Sequence, residues 1–153
     1  MNKFVLHIPP TVYILALLLF LSSLTIAQQA GKIISSEEAN TNFGAVGKIT
    51  LVSKSFLESL LKQAGQSIMF KITESGLIIL DAKRDVLFPQ SEEINLKVNS
   101  EDVFTVYSSS VVYDLLNRSE GTSINIEQRA AVLSITFGLS TLEFGTYCPP
   151  FCN

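Results

Sequence analysis

Apolar positions along this chain change their spacing several times, and each change marks an element. Phe56, Leu57, Leu60, Leu61 and Ala64 recur every three or four residues, which predicts a helix over 54–64. Ser55 with Glu58 three residues on reads as a capping box at its start, and Gly65 as its stop. Before it, 48–52 alternates and is rich in β-formers. After it, Ile68, Phe70 and Ile72 alternate with Met69 and Lys71, as in a strand with one buried face. Glu74, Ser75 and Gly76 form a turn, 77–80 is an apolar strand and 81–85 a charged turn. A further strand over 86–88 ends at Pro89, and Ile94, Leu96 and Val98 alternate once more.

The same order then recurs. Residues 103–107 read as a strand, and 108–110 can cap a helix with an inner face of Val111, Val112, Leu115 and Leu116. Setting residue i beside i+55 pairs Leu51 with Val106, Ser53 with Ser108, Leu60 with Leu115 and Leu61 with Leu116. With one residue of slip, Gly65 matches Gly121, Ile68 matches Ile124 and Phe70 matches Ile126. Strands over 132–137 and at Leu142 and Phe144 close the second half. The order is that of a strand–helix–strand–strand duplication, or of an α+β domain that reuses one arrangement. Two short amphipathic helices need a sheet to cover their stripes. The expected fold is therefore α+β and two-layered, with two short helices on one face of a mostly antiparallel sheet.

The ends of the chain differ from this body. Lys3 precedes an apolar run over 12–21, and Thr25 and Ala27 stand at the -3 and -1 positions of a cleavage site. This is the layout of a secretory signal over 1–27, with an uncleaved membrane anchor as its alternative. Residues 28–42 are small and polar and read as a flexible arm outside the core. The α+β domain is placed at 43–147 and a Cys-Pro-Pro-Phe-Cys tail at 148–153.

Composition narrows the chemistry. The chain has 153 residues, is 47% apolar and carries a net charge of -3, enough for one packed domain. Loss of 1–27 removes Lys3 and His7, the only histidine, and leaves 10 basic against 14 acidic residues, a net of -4. Without His, Ser-His-Asp and Cys-His catalysis and His-ligated metal sites drop out. The charge balance gives no footprint for nucleic acid. The reading is a non-catalytic protein without a cofactor.

Cys148 and Cys152 are the most distinctive pair. In an exported chain they favour a disulfide. An extended Pro-Pro segment would hold their Cα atoms roughly 12 Å apart, whereas a disulfide needs less than about 7 Å. A turn at Pro149-Pro150 is therefore required, with Phe151 at the loop tip as a partner-binding residue. A thiol–disulfide or copper(I) role for the two cysteines is the alternative. Lys83 and Arg84, in the charged turn, are the other candidate partner-binding residues.

Lys71-Ile-Thr-Glu-Ser-Gly-Leu-Ile-Ile-Leu-Asp81 and Ser108-Ser-Ser-Val-Val-Tyr-Asp-Leu-Leu116 give residues 47–138 a pattern that resembles one domain of a sliding DNA clamp of the proliferating-cell type. The resemblance implies an α+β fold. Its DNA function is not carried over, because the helices here offer only Lys54, Lys62 and Arg118. The resulting expectation is an exported interaction or structural module, secreted or in the periplasm or cell envelope. Its partner would be an envelope or extracellular protein, with membrane contact only if 1–27 stays attached.

Overall fold

The structure is a computed structural model that describes residues 29–90, 98–130 and 132–148. The signal over 1–27, Phe151, Cys152 and the expected strand residues Ile94 and Leu96 lie outside the described residues. The α+β class holds: among the described residues ten strands form two antiparallel five-stranded sheets, accompanied by three short helices.

In chain order the elements are β1 (Lys32–Ser35), α1 (Ser36–Phe43), β2 (Lys48–Ser53), α2 (Lys54–Ala64), β3 (Ser67–Ile72), β4 (Leu77–Leu80) and β5 (Val86–Phe88). The second half follows as β6 (Phe104–Ser108), α3 (Ser109–Leu116), β7 (Ser123–Gln128), β8 (Leu133–Phe137), β9 (Ser140–Glu143) and β10 (Thr146–Cys148). Sheet one has the order β1-β9-β8-β7-β2, and sheet two β10-β6-β3-β4-β5. The repeated order is therefore present in space, with an exchange. β2 opens the first half but pairs with β7 of the second. β6 opens the second half but pairs with β3 of the first.

Three expectations change. Residues 28–42 are not an arm outside the core: from Lys32 onward they form β1 and α1. β1 satisfies its backbone groups against β9, with Ile34 opposite Thr141, and Ile34 and Ala39 are buried. The polar composition of this stretch belongs to a helix covering a polar sheet face. The capping box at Ser55 is also displaced. Ser53 is the N-cap of α2, and its hydroxyl accepts from the Phe56 amide at 3.1 Å. Cys148 does not begin a tail, because β10 adds Thr146–Cys148 to the edge of β6, with Cys148 opposite Phe104.

One core joins both sheets and two helices. Leu57, Leu60 and Leu61 of α2 and Val112, Leu115 and Leu116 of α3 meet Ile68, Phe70 and Ile79 of sheet two. They also meet Ile124, Ile126, Ile135, Phe137 and Leu142 of sheet one. The alternate residues of sheet two, Met69, Ile78, Leu80, Phe104 and Cys148, form a second apolar cluster on its other face. The expectation of one buried face for β3 is corrected: Ile68 and Phe70 are buried on one face and Met69 on the other.

Tyr107 bridges the two sheets. It stands on β6, is fully buried, and donates its hydroxyl to the carbonyl of Leu133. The Leu142 carbonyl lies 3.4 Å away. Burial, and then the nearby Glu143 charge, push its phenol well above the ordinary value, so it stays a donor. Two glycines make room for the ring. A Cβ on Gly145 would lie 2.8 Å from Tyr107 Cε1, and one on Gly31, where φ is +107°, would lie 2.9 Å from Cδ1.

Leu60→Ala and Leu115→Ala are each expected to cost about 2–5 kcal/mol, as buried large-to-small changes do. Wild-type denaturant midpoints for both would contradict this core. Tyr107→Phe is expected to cost about 1–3 kcal/mol, because it leaves a buried carbonyl unsatisfied. The same denaturant titration reads that loss.

Candidate functional site

The residues singled out from the sequence separate in space. Lys83 lies at the exposed turn between β4 and β5. Asp81 organises that turn by accepting from the amides of Lys83 and Asp85, each at 2.8 Å. Arg84, with φ at +69°, folds back across the outer face of sheet two instead of reaching into solvent. Its Nη2 donates to the carbonyls of Asn99 at 3.0 Å and Asp102 at 3.1 Å. Its Nη1 lies 3.2 Å from Cys148 Sγ. Arg84 and Cys148, read from distant parts of the sequence, therefore meet.

Phe104 is the platform beneath this contact. Arg84 Cζ lies 5.3 Å and Lys71 Nζ 5.5 Å from its ring centroid, within cation–π range. Lys71 also pairs with Asp102 at 2.7 Å. The Lys71 hydrogen bond, followed by the Asn99 amide, holds the Asp102 carboxyl below its usual range. Cys148 is fully buried, and no described cysteine is a free thiol. The Arg84 guanidinium beside this sulfur disfavours an added cation such as copper(I) by charge repulsion.

A second polar centre escaped the sequence reading. It lies under α1 on the outer face of sheet one, where Glu127, Arg129, Ser134 and Glu143 are all buried. Arg129 Nη2 donates to Glu127 Oε2 at 2.8 Å, and Nε donates to Ser134 Oγ at 3.1 Å. Nη1 reaches Asn40 Oδ1 at 2.7 Å and the Gly44 carbonyl at 2.6 Å, which anchors the end of α1. Glu143 Oε1 accepts from Ser134 Oγ and lies 3.5 Å from Arg129 Nε, while its Oε2 has no hydrogen-bond partner among the described residues. Two carboxylates share one guanidinium. Burial pushes the Glu143 carboxyl up, against the Ser134 hydrogen bond and the Arg129 charge that lower it. The sequence carried a signal for this centre: polar residues alternate with Ile126, Leu133, Ile135 and Leu142. Such alternation normally marks a solvated face, and only α1 converts it into a buried one.

The third feature is a groove between the sheets, mostly apolar in its smaller cleft and mixed in its larger one. Two clefts, of about 240 and 190 Å³, share Thr105, Leu133 and Tyr147 in their walls. Val103 and Phe144 flank them and are about half exposed. Phe144 packs edge-on against Phe43 of α1, with ring centroids 5.2 Å apart.

No protein-family model, no curated protein and no solved structure matches this chain. The clamp-like pattern over 47–138 accordingly adds nothing to its function. Among the described residues no helix is long and apolar enough to cross a membrane. Among the same residues no group of three or more His, Cys, Asp or Glu could hold a metal ion.

Arg129→Ala is expected to destabilise by about 3–5 kcal/mol, since it strands two buried carboxylates. Glu143 behaves differently. Its folded pKa is raised, so its contribution to stability is complete below its unfolded value and is lost as pH rises through the folded one. Glu143→Gln should remove that loss. Denaturant midpoints between about pH 4 and pH 8 should fall less for the variant than for the wild type. Parallel curves would contradict this assignment.

Proposed function

We propose that the protein is a small exported interaction module without catalytic activity, and that it binds a protein partner through the groove between its two sheets. The observation that carries this reading is the grouping of Val103, Phe144 and Tyr147, all exposed apolar residues, around the paired clefts. Exposed apolar side chains scattered singly need no explanation, whereas a contiguous group beside a concave surface marks an interaction site. The buried charges under α1 fit a structural role, because Arg129 ties α1 to sheet one and the cluster is closed to solvent. The signal-like segment over 1–27 supports export, to the periplasm, the cell envelope or the medium. A disulfide between Cys148 and Cys152 would then fasten the segment that follows β10 at the rim of the second apolar cluster.

The contact of Arg84 with Cys148 favours a second reading, in which the two cysteines act as a thiol–disulfide pair. Arg84 Nη1 lies 3.2 Å from Cys148 Sγ, so a positive charge stands beside one of the two sulfurs.

One set of pull-downs from the native compartment separates the two. Partner recovery by wild type should be lost with Val103→Asp at an unchanged denaturant midpoint, and retained by the Cys148→Ser, Cys152→Ser double variant. Recovery that follows the cysteines and ignores Val103 would support the thiol reading and overturn the groove.

A further inference from the structure

We propose that Asn117 is a site of N-linked glycosylation, with Asn117-Arg118-Ser119 presented on the exposed turn that ends α3. This site depends on export of the chain, as proposed above, and not on the groove. Asn117-Arg118-Ser119 is the only Asn-X-Ser/Thr triplet in the sequence, and its middle residue is not proline. Such a triplet matters only where the folded chain leaves room for a bulky, hydrated group on the asparagine.

The turn meets that condition. Leu115 and Leu116 are buried, and burial stops at Asn117: Asn117, Arg118, Glu120, Gly121 and Thr122 are all exposed, and β7 begins only at Ser123. Backbone groups alone close the end of α3, the Asn117 amide on the Tyr113 carbonyl and the Arg118 amide on the Leu115 carbonyl, both at 3.1 Å. The Asn117 side chain makes no hydrogen bond to a described residue. Asn40 and Asn125 differ, since their side chains bond to Arg129 and Glu127. Asparagine often ends a helix because it tolerates the left-handed conformation. Asn117 has φ −84° and ψ −7°, which most residues adopt, so the fold makes no use of its amide.

Ser119, two residues on, accepts from the Gly121 amide at 3.3 Å and keeps its own hydroxyl proton. A Cβ on Gly138 would lie 3.0 Å from Ser119 Oγ, so the triplet sits against the turn that follows β8. That is the Phe137 end of β8, whereas the groove is walled by Leu133 at the other end. A strand of this length spans about 13 Å between its end residues. A glycan on Asn117 therefore projects from the end of sheet one away from the groove and leaves it open. The co-reactant is a lipid-linked oligosaccharide pyrophosphate. Transfer forms a bond from Asn117 Nδ2 to the anomeric carbon of the first sugar and breaks the bond from that carbon to the pyrophosphate oxygen. Lipid pyrophosphate and one proton from Nδ2 are released.

The test is the intact mass and N-terminal sequence of the full chain as its own cells produce it, before and after treatment with peptide-N-glycosidase. A mass above that of the polypeptide is expected, with the excess removed by the enzyme and an aspartate left in place of Asn117. Asn117→Gln and Ser119→Ala should each lose the excess entirely, and Ser119→Thr should keep it. Asn117→Gln should match the denaturant midpoint of enzymatically deglycosylated wild type, because its side chain has no partner to lose. Unmodified protein that begins at Gln28 would overturn the glycan and leave export standing. Unmodified protein that stays inside the cell with residues 1–27 attached would overturn both. Sugar that persists in Asn117→Gln would overturn the assignment to this residue.

Discussion

β2 and β6 each leave their own half of the chain and complete the sheet of the other half, β2 against β7 and β6 against β3. Neither half can close its hydrogen-bonded ladder without its neighbour, so the two sheets form one cooperative unit. Tyr107 reinforces that unit. It stands on an exchanged strand and carries its hydroxyl across the core to the carbonyl of Leu133 in the other sheet. Gly31 and Gly145 then follow as requirements, because a side chain at either position would collide with the Tyr107 ring. The groove is a by-product of the same geometry: Thr105 and Tyr147 of sheet two and Leu133 of sheet one wall it.

The two outer faces are finished in opposite ways. Sheet two presents Met69, Ile78, Leu80 and Phe104, and Lys71 and Arg84 lie over the Phe104 ring with their charges turned to Asp102 and to backbone carbonyls. Long basic side chains cover apolar surface in this way while their charged ends find polar partners. Sheet one presents Glu127, Ser134 and Glu143, and α1 buries them around Arg129. Removing charges from water is repaid only by near-complete pairing. The guanidinium meets this demand for Glu127 and only partly for Glu143, whose carboxyl is accordingly pushed toward the neutral form. The polar face makes the position of α1 specific, since Asn40 and the Gly44 carbonyl are the only α1-side acceptors described for Arg129.

How much was legible in the residues depends on the range of the interaction. Local rules located α2 at Lys54–Ala64, with Gly65 at φ +76° as its stop. They located β3, β4 and β5 with their turns, and the matched Leu60 and Leu115 of the two helices, both of which are buried. Helical spacing, strand alternation and glycine turns are set by neighbours within a few positions, so one chain suffices to read them. The likeness of the two halves at an offset of about 55 residues belongs to the same kind of information.

Tertiary structure alone decided the rest. Residues 32–43 carry too few apolar side chains to announce a packed strand and helix, and they are ordered by β9 and Arg129, which lie about a hundred positions away. The exchange of β2 and β6 has no local signature, because strand pairing depends on edges that meet only in the folded chain. Arg84 and Cys148 come together across 64 residues through the register of β10 on β6. The open start of α3 looks in sequence like the closed start of α2, with serine at both caps. Ala30, arriving from the far end of the chain, takes the Ser108 hydroxyl and leaves the first turn of α3 without a cap. In each case the deciding partner is remote in sequence, and a hydrogen-bonding group shows no preference among remote partners until the backbone has placed one of them within about 3 Å.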